Sequence, residues 1–379
     1  MCIIMKSFEM KIGNRMVGEG HPTFIVAELS GNHHQNYDEA VELIKAAADA
    51  RVDAIKLQTY TPDTLTLNSD KPWFMVKGKD QPEAWGGKKL YDLYQAAYTP
   101  WEWQPKLQKI AQNLGLILFS TPFDETAVDF LEAMNVPCYK VASYEAIHIP
   151  LLKKVAKTGK PVIMSIGFAS FEEATLAVDT LRNSGARDIA VLHCVTAYSD
   201  TPRFEYSNLN TIADIKNRFG VIAGFSDNNA GIEIPIMAAT VGGASVIEKH
   251  FILDRTKEGP DARFSIEPHE LKRMVEIIRK VEKEGLQALE GIVSREDIAK
   301  AMGHVQYGPA SEQERENIAF RPSVWVRKAM KKGEHFTKEN TRVTRPSGGL
   351  APRFFDQILG RKAAKDIEEA IPLAWELAE

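Results

Sequence analysis

Residues 244–261 read ASVIEKHFILDRTKEGPD, a short β-branched run that ends in Glu248, Lys249 and His250. A parallel strand covered on both faces reads as continuous Val and Ile, so its polar groups belong at the carboxyl end, where a barrel collects reactive side chains. One histidine in such a place is more often a satisfied core residue than a ligand. The same pattern of apolar run and polar end recurs along the chain, and that recurrence turns the balance toward a site.

Working outward, strand-like runs occur at FIVAE (24–28), AIKLQ (54–58), GLILFS (115–120), PCYKVAS (137–143), PVIMS (161–165), DIAVLHC (188–194) and VIAGFS (221–226). Helical patterns such as EAVELIKAAADA, ETAVDFLEAM and FEEATLAVDTLRNSG separate them. Counting 244–249, about eight strands, each followed by a crossover of helical length, predict an α/β fold, a (β/α)8 TIM barrel. A doubly wound sheet would carry a glycine-rich phosphate loop after its first strand, where this chain has ELSGNHHQ. A short hairpin (MKIGNRMVGEG) is expected before the first strand. A long loop through Trp85, with TPD, SDKPW and GG signals that break regular structure, is expected to lie over an active site or to be disordered. The barrel is placed at 1–285, a polar linker at 286–318, and a small second domain at 319–379 that docks over a barrel mouth because it buries too little core alone.

The chain has 379 residues, 44% hydrophobic and 26% charged, with a formal net charge of -4. Its basic residues are scattered, which removes the electrostatic case for nucleic acid and points to a small-molecule partner. Cys2, Cys138 and Cys194 lack zinc-type or CxxC spacing, and no segment approaches the roughly 20 apolar residues of a membrane span. A reducing cytoplasm without export is the expected setting.

The strand ends supply Glu28, Lys56, Gln58, Ser120, Thr121, Lys140, Ser143, Ser165, His193, Ser226, Asp227, Glu248 and His250. Two lysines ending separate buried strands call for an anion, since an unpaired buried ammonium costs several kcal/mol or loses its proton. A phosphorylated or carboxylated ligand would supply it, with the serines and Thr121 as neutral donors. Glu28 is placed to orient a water or accept a proton, and His250 is the best metal-ligand candidate. For Glu248, a salt bridge to a lysine is as good a reading as catalysis. The adjacent His33 and His34 fit a loop near substrate better than a metal clip.

With FIVAELSGNH, AIKLQTYTPDTLTLNSDKPWF, FSTPFDETAVDFLE, YKVASYE, KTGKPVIMSIG, GFSDN and IEKHFILDR assembled, the chain resembles the sialic acid synthase family over nearly its full length. Its long second loop looks like the pseudaminic branch. The resemblance implies a homodimer in which each barrel mouth is closed by the other subunit's small antifreeze-like (SAF) domain. It implies condensation of phosphoenolpyruvate with an N-acetylated amino sugar, a 2,4-diacetamido-2,4,6-trideoxy hexose in open-chain form, giving a nine-carbon 2-keto acid and phosphate. A divalent metal, usually Mn2+, belongs to the reaction. By the same resemblance Lys56, Thr121, Lys140, Ser143, Ser165 and Ser226 hold phosphoenolpyruvate. Gln58, Glu145, Tyr198 and Asp261 face the sugar, and Arg321 reaches its acyl group. Glu28 activates water, and His250 with Asn228 holds the metal.

The chain departs from the family at three places. Asn32-His33-His34-Gln35 stands for NHNG and removes a glycine suited to a left-handed turn, a role expected to pass in part to Asn36. Ser226-Asp227-Asn228-Asn229 stands for SDH(T/S), so Asn228 replaces a metal histidine. Tyr198 is followed by Ser199 where the family tends to have proline. The alternative readings are a synthase for an N-acetylneuraminate- or legionaminate-type sugar, or a sugar-binding paralogue without turnover.

Overall fold

The runs of Val, Ile, Leu and Phe become strands buried on both faces, because alternate side chains meet either the barrel interior or the helices around it. A computed structural model describes residues 8–76, 86–257, 259 and 261–379. The antiparallel hairpin comes first, β1 (Glu9–Ile12) and β2 (Arg15–Gly18). The barrel strands follow: β3 (Phe24–Glu28), β4 (Ala54–Thr59), β5 (Ile117–Pro122), β6 (Tyr139–Val141), β7 (Val162–Ser165), β8 (Ile189–Ser199), β9 (Ile222–Asn229) and β10 (Val246–His250). They close in sequence order, with β10 pairing β3, into the expected parallel barrel.

The inner layer contains Phe24, Val26, Ala54, Phe119, Ile163, Leu192 and Val246, and the hairpin residues Met10, Ile12 and Val17 join it, which plugs the amino-terminal end. The carboxyl end is left for polar side chains. Helices start on recognisable caps. Asn36 Oδ1 accepts from the backbone of Asp38 at 2.9 Å, Asp124 caps the helix after β5, and Ser170 with Glu173 forms a capping box. The left-handed turn before the first helix is made by His34 and Gln35 themselves, at φ 49° and 53°. Asn36, expected to share that role, is extended and serves as the cap.

The second domain has a sheet ordered β12 (Thr341–Thr344), β11 (Ser323–Val326), β13 (Ile371–Pro372), and a core of its own around Val324, Val326, Phe336 and Leu373. It contributes Phe320 and Arg345 to the mouth of its own barrel; the sequence left its own mouth or a partner's open, and the resemblance implies the partner's. The described part of the long loop is more regular than its turn signals imply, with a short helix at Pro62–Leu65 and a 3-10 turn at Pro72–Phe74; residues 77–85 lie outside the described residues. Phe74 from this loop packs on Trp325 with ring centroids 4.8 Å apart, so loop and cap form one wall.

Residues 286–318, expected as a plain linker, carry the helices Arg295–Met302 and Glu312–Asn317, started by Ser294 and Ser311. They lie along the barrel: Leu209 N–H donates to Ala301 O at 2.9 Å, and buried Glu314 accepts from Thr196 N–H at 2.7 Å. Among the described residues no helix is long and apolar enough to cross a membrane.

Candidate active site

Because side chains alternate along each strand, the inward set at the carboxyl end is Glu28 on β3, Lys56 and Gln58 on β4, Lys140 on β6, Ser165 on β7, Ser226 and Asn228 on β9, and Glu248 and His250 on β10. All of these line one cavity under the cap, together with Ser30, Ser143, Cys194, Tyr198 and Asp261. Ser120, His193 and Asp227 point the other way. Ser120 Oγ bonds Thr59 Oγ1, His193 Nε2 bonds Ser207 O, and Asp227 pairs with fully buried Lys249 at 2.6 Å. A strand period of two separates these three from the inward set and was the signal available in the sequence.

The charges form a chain of alternating sign. Lys56 Nζ lies 2.7 Å from Glu28 and 3.5 Å from Glu248, and Lys140 Nζ lies 3.5 Å from Glu248. The lysines are therefore not left unpaired. Burial works against the charge on Lys56, but Glu248 and Glu28 outweigh it and hold the ammonium protonated. For Lys140 burial wins, aided by Lys56, and its pKa falls in spite of Glu248. Its nearest partner is the Ser165 hydroxyl at 2.7 Å, and its ion pair with Glu248 at 3.5 Å is shared with Lys56.

The two carboxylates divide in the same way. Burial raises Glu28 even with Lys56 beside it, since Glu248 shares that ammonium; Glu248 is itself held low against burial by Lys140 and Lys56. Gln58 Nε2 donates to Glu28 Oε1 at 2.9 Å and to Ser30 Oγ at 3.0 Å, and Ser30 bonds Asp261. Ser143 Oγ accepts from Gly167 N–H at 3.1 Å. Glycine is required at 167 because a Cβ there would lie 2.7 Å from Cys194 O. Tyr198, at φ 50° on an irregular stretch of β8, meets Tyr144 hydroxyl to hydroxyl at 3.2 Å.

Three expected residues are not on the cavity wall. Thr121 is buried beside Lys56, whose Nζ donates to its Oγ1 at 3.3 Å. Glu145 lies behind Arg345, which donates to its Oε1 at 2.6 Å. Arg321 is turned to Glu173 at 3.1 Å and to Phe168 O, because the capping-box carboxylate of the neighbouring helix takes its charge. The arginine that reaches the mouth from the small domain is Arg345. His33 bonds Thr99 Oγ1 at 2.9 Å and His34 faces Glu39 at 3.2 Å, both away from the cavity wall.

His250 is neutral, its pKa driven down to about 3 by burial and then by Lys56, and its buried Nδ1 has no hydrogen-bond partner. Asn228 gives its amide nitrogen to Val195 O at 2.7 Å, which keeps its oxygen for another partner. An imidazole nitrogen and an amide oxygen on neighbouring strands fit a loosely held divalent ion. Among the described residues the three-residue group whose ligand atoms lie within 4.8 Å of one another is Glu267, His269 and Glu270, none of which lines the cavity. There Glu267 and Glu270 cap a helix and Arg255 pairs with Glu270.

The family profile of NeuB matches residues 43–288, and that of the SAF domain residues 321–379. The chain belongs to the NeuB family. It is similar to the pseudaminic acid synthase of Campylobacter jejuni, 40% identical over 95% of this chain and 97% of that relative. The N,N'-diacetyllegionaminic acid synthase of the same organism is 32% identical over 92% of this chain and 97% of its own length. Among solved structures, the spore coat polysaccharide biosynthesis protein SpsE of Bacillus subtilis superposes with a TM-score of 0.81 at 33% identity, covering 98% of this chain and 99% of that one. Within the NeuB family this chain is an enzyme, a synthase for a sialic-acid-like sugar.

Proposed function

We propose that the chain condenses phosphoenolpyruvate with the open-chain aldehyde of a 2,4-diacetamido-2,4,6-trideoxy hexose, as a pseudaminic acid synthase. The observation that carries this reading is the meeting of Lys56, Lys140 and Glu28 with a ring of serines in one capped cavity. Lys140, whose ion pair with Glu248 is long and shared, and Lys56 suit the phosphate and carboxylate of the enol ester, with Ser143, Ser165 and Ser226 as neutral donors and Thr121 supporting Lys56 from beneath. Gln58, Tyr198 and Asp261 line the side left for the sugar.

The enol ester is a weak nucleophile, so holding its C3 against the aldehyde carbon is the first task of the site. A carbon–carbon bond forms there as the C2=C3 and aldehyde C=O double bonds open, which leaves C2 cationic and the aldehyde oxygen to take up a proton from solvent. Water then adds at C2, its proton passing to Glu28, whose burial raises its affinity for that proton and whose orientation Gln58 fixes. As the tetrahedral intermediate collapses, the C2–O bond to phosphate breaks and the lysines stabilise the departing anion, leaving the 2-keto acid. A divalent cation, expected as Mn2+, would be held by His250 and Asn228 and would supply Lewis-acid polarisation of the aldehyde.

This reading includes a homodimer and a reducing cytoplasm, which the buried, unpaired Cys138 and Cys194 suit. The relative at 32% identity supports a second substrate, the legionaminate-type sugar. Phosphate release from phosphoenolpyruvate with a panel of acetylated amino sugars tests both. Fastest turnover of the pseudaminate precursor is the expected result, and release with none of the panel overturns the proposal.

A further inference from the structure

Strand β8 outlasts its neighbour β7, whose last paired residue, Ser165, stands opposite Leu192. On its other side β8 advances from Val195 to Ser199 while β9 advances only from Asp227 to Asn229, so residues 196–198 form a bulge. Thr196 and Tyr198 both line the cavity, and Tyr198 takes the left-handed conformation, at φ 50°. Backbone polar groups in such a buried, irregular stretch need partners from elsewhere. The helix Glu312–Asn317 supplies them. Glu314 Oε1 accepts from Thr196 N–H at 2.7 Å and from Thr196 Oγ1 at 2.9 Å, and Asn317 Nδ2 donates to Thr196 O at 3.0 Å. The other carboxylate oxygen, Oε2, accepts from Ala310 N–H at 2.6 Å, so Glu314 joins strand and linker. Glu314 and Asn317 are 2% and 1% exposed. Asn317 leads directly into the turn Ile318–Phe320, and Phe320 lies on the cavity wall in one cluster with Tyr144 and Tyr198.

We propose that Glu314 is a positioning residue that, with Asn317, braces the 196–198 bulge in the shape that turns Tyr198 into the cavity, and so fixes the sugar side of the site from the linker. The inference rests on the condensation reading above and names what shapes the sugar half of that site. A packing role alone would be met by an apolar side chain. A carboxylate is costly to bury unless donors surround it, and the donors here are the backbone and hydroxyl of the bulge together with the linker's own N–H. The phosphoenolpyruvate side is held differently. Ser226 pairs with Cys194, before the bulge begins, and Lys140 and Ser165 stand on β6 and β7 in the regular ladder. Loss of the brace therefore acts on one substrate and spares the other.

The test compares wild type and Glu314→Ala in the Michaelis constants for a diacetamido sugar and for phosphoenolpyruvate, and in backbone hydrogen exchange over residues 195–199. The sugar constant should rise roughly tenfold, the size expected for hydrogen bonds to a charged group, and that for phosphoenolpyruvate should stay within about twofold. Exchange over 195–199 should quicken while that of β4 does not. Simple destabilisation would instead remove active molecules, lowering kcat without moving either constant. Glu314→Gln keeps a carbonyl oxygen for Thr196 and should return the sugar constant most of the way to wild type. If Glu314→Ala does not fold, Asn317→Ala, which removes the contact to Thr196 O, should show the same selective rise. A sugar constant unchanged in the folded variants, a parallel rise for phosphoenolpyruvate, or exchange over 195–199 that stays slow overturns the assignment while wild-type turnover preserves the condensation reading. Wild type that turns over none of the acetylated sugars overturns the condensation reading and the sugar role with it, whereas the exchange result decides the brace by itself.

Discussion

Glu28 and Lys56 stand in register on neighbouring barrel strands, and the carboxylate and ammonium lie 2.7 Å apart with both side chains buried. The same ammonium reaches Glu248 at 3.5 Å, so one lysine keeps two buried carboxylates compatible. On the proposed reading this lysine both binds an anionic substrate and holds the two carboxylates together.

Lys56→Met removes that compromise. It is expected to weaken phosphoenolpyruvate binding by roughly 10- to 100-fold, the range of a charge-assisted hydrogen bond. It should also destabilise the barrel by about 3 kcal/mol, because a buried carboxylate is left uncompensated. Adding Glu28→Gln should recover much of the stability and none of the turnover. Urea unfolding and the Michaelis constant for phosphoenolpyruvate read the two effects separately. A destabilised variant with normal affinity would make Lys56 a structural partner alone.

His193 faces outward from β8 and bonds Ser207 O at 2.8 Å, and burial lowers its pKa from 6.5 to about 4. The unfolded chain thus takes a proton at a pH where the folded chain does not. Stability from this group is full above pH 6.5 and is lost as the pH falls toward 4, in total about 3 kcal/mol. His193→Gln keeps a donor for Ser207 and should flatten the decline of unfolding free energy over that window. Identical slopes for variant and wild type would refute the assignment.

Chelation of divalent metal should stop phosphate release, and Mn2+ should restore it. Asn228→His exchanges an amide oxygen for an imidazole and is expected to lower the half-saturating Mn2+ concentration roughly tenfold. His250→Ala should abolish metal-dependent turnover and leave the unfolding midpoint nearly unchanged. A response to metal that is flat in all three proteins would remove His250 and Asn228 as ligands.

The small domain has its own core, and the inner barrel cluster includes none of its residues. A chain ending at 318 is expected to keep the barrel fold and to lose about 100-fold in turnover, the scale of a misplaced reactant, as Arg345 and the wall of Phe74 and Trp325 go with it. Circular dichroism and phosphate release on the truncated chain check this. Full turnover would show that the cap is dispensable.

By itself the sequence pointed to the barrel, because a strand buried on both faces must be written in Val, Ile and Leu, and eight such runs at crossover spacing without a glycine-rich loop after the first favour closure over an open sheet. It also determined that polar groups gather at one end, since nearly every run ends in or beside Lys, Glu, Gln, Ser or His before a helix begins. Which of those groups share the cavity was half legible. The period of two along a strand separates Glu248 and His250 from Lys249, and Ser226 and Asn228 from Asp227, but a motif read as a block carries both faces together. Only the tertiary structure decided the partners of the charges. Lys56 and Lys140 share Glu248 because β4, β6 and β10 meet around a closed ring, a relation with no counterpart in sequence spacing. Arg345, 200 residues from Glu145, reaches the mouth while Arg321 does not, because the docking of the small domain aims one side chain between aromatic rings and gives the other to a helix cap. Chain composition sets what can be buried; the direction in which two domains pack sets which charge ends up facing the cavity.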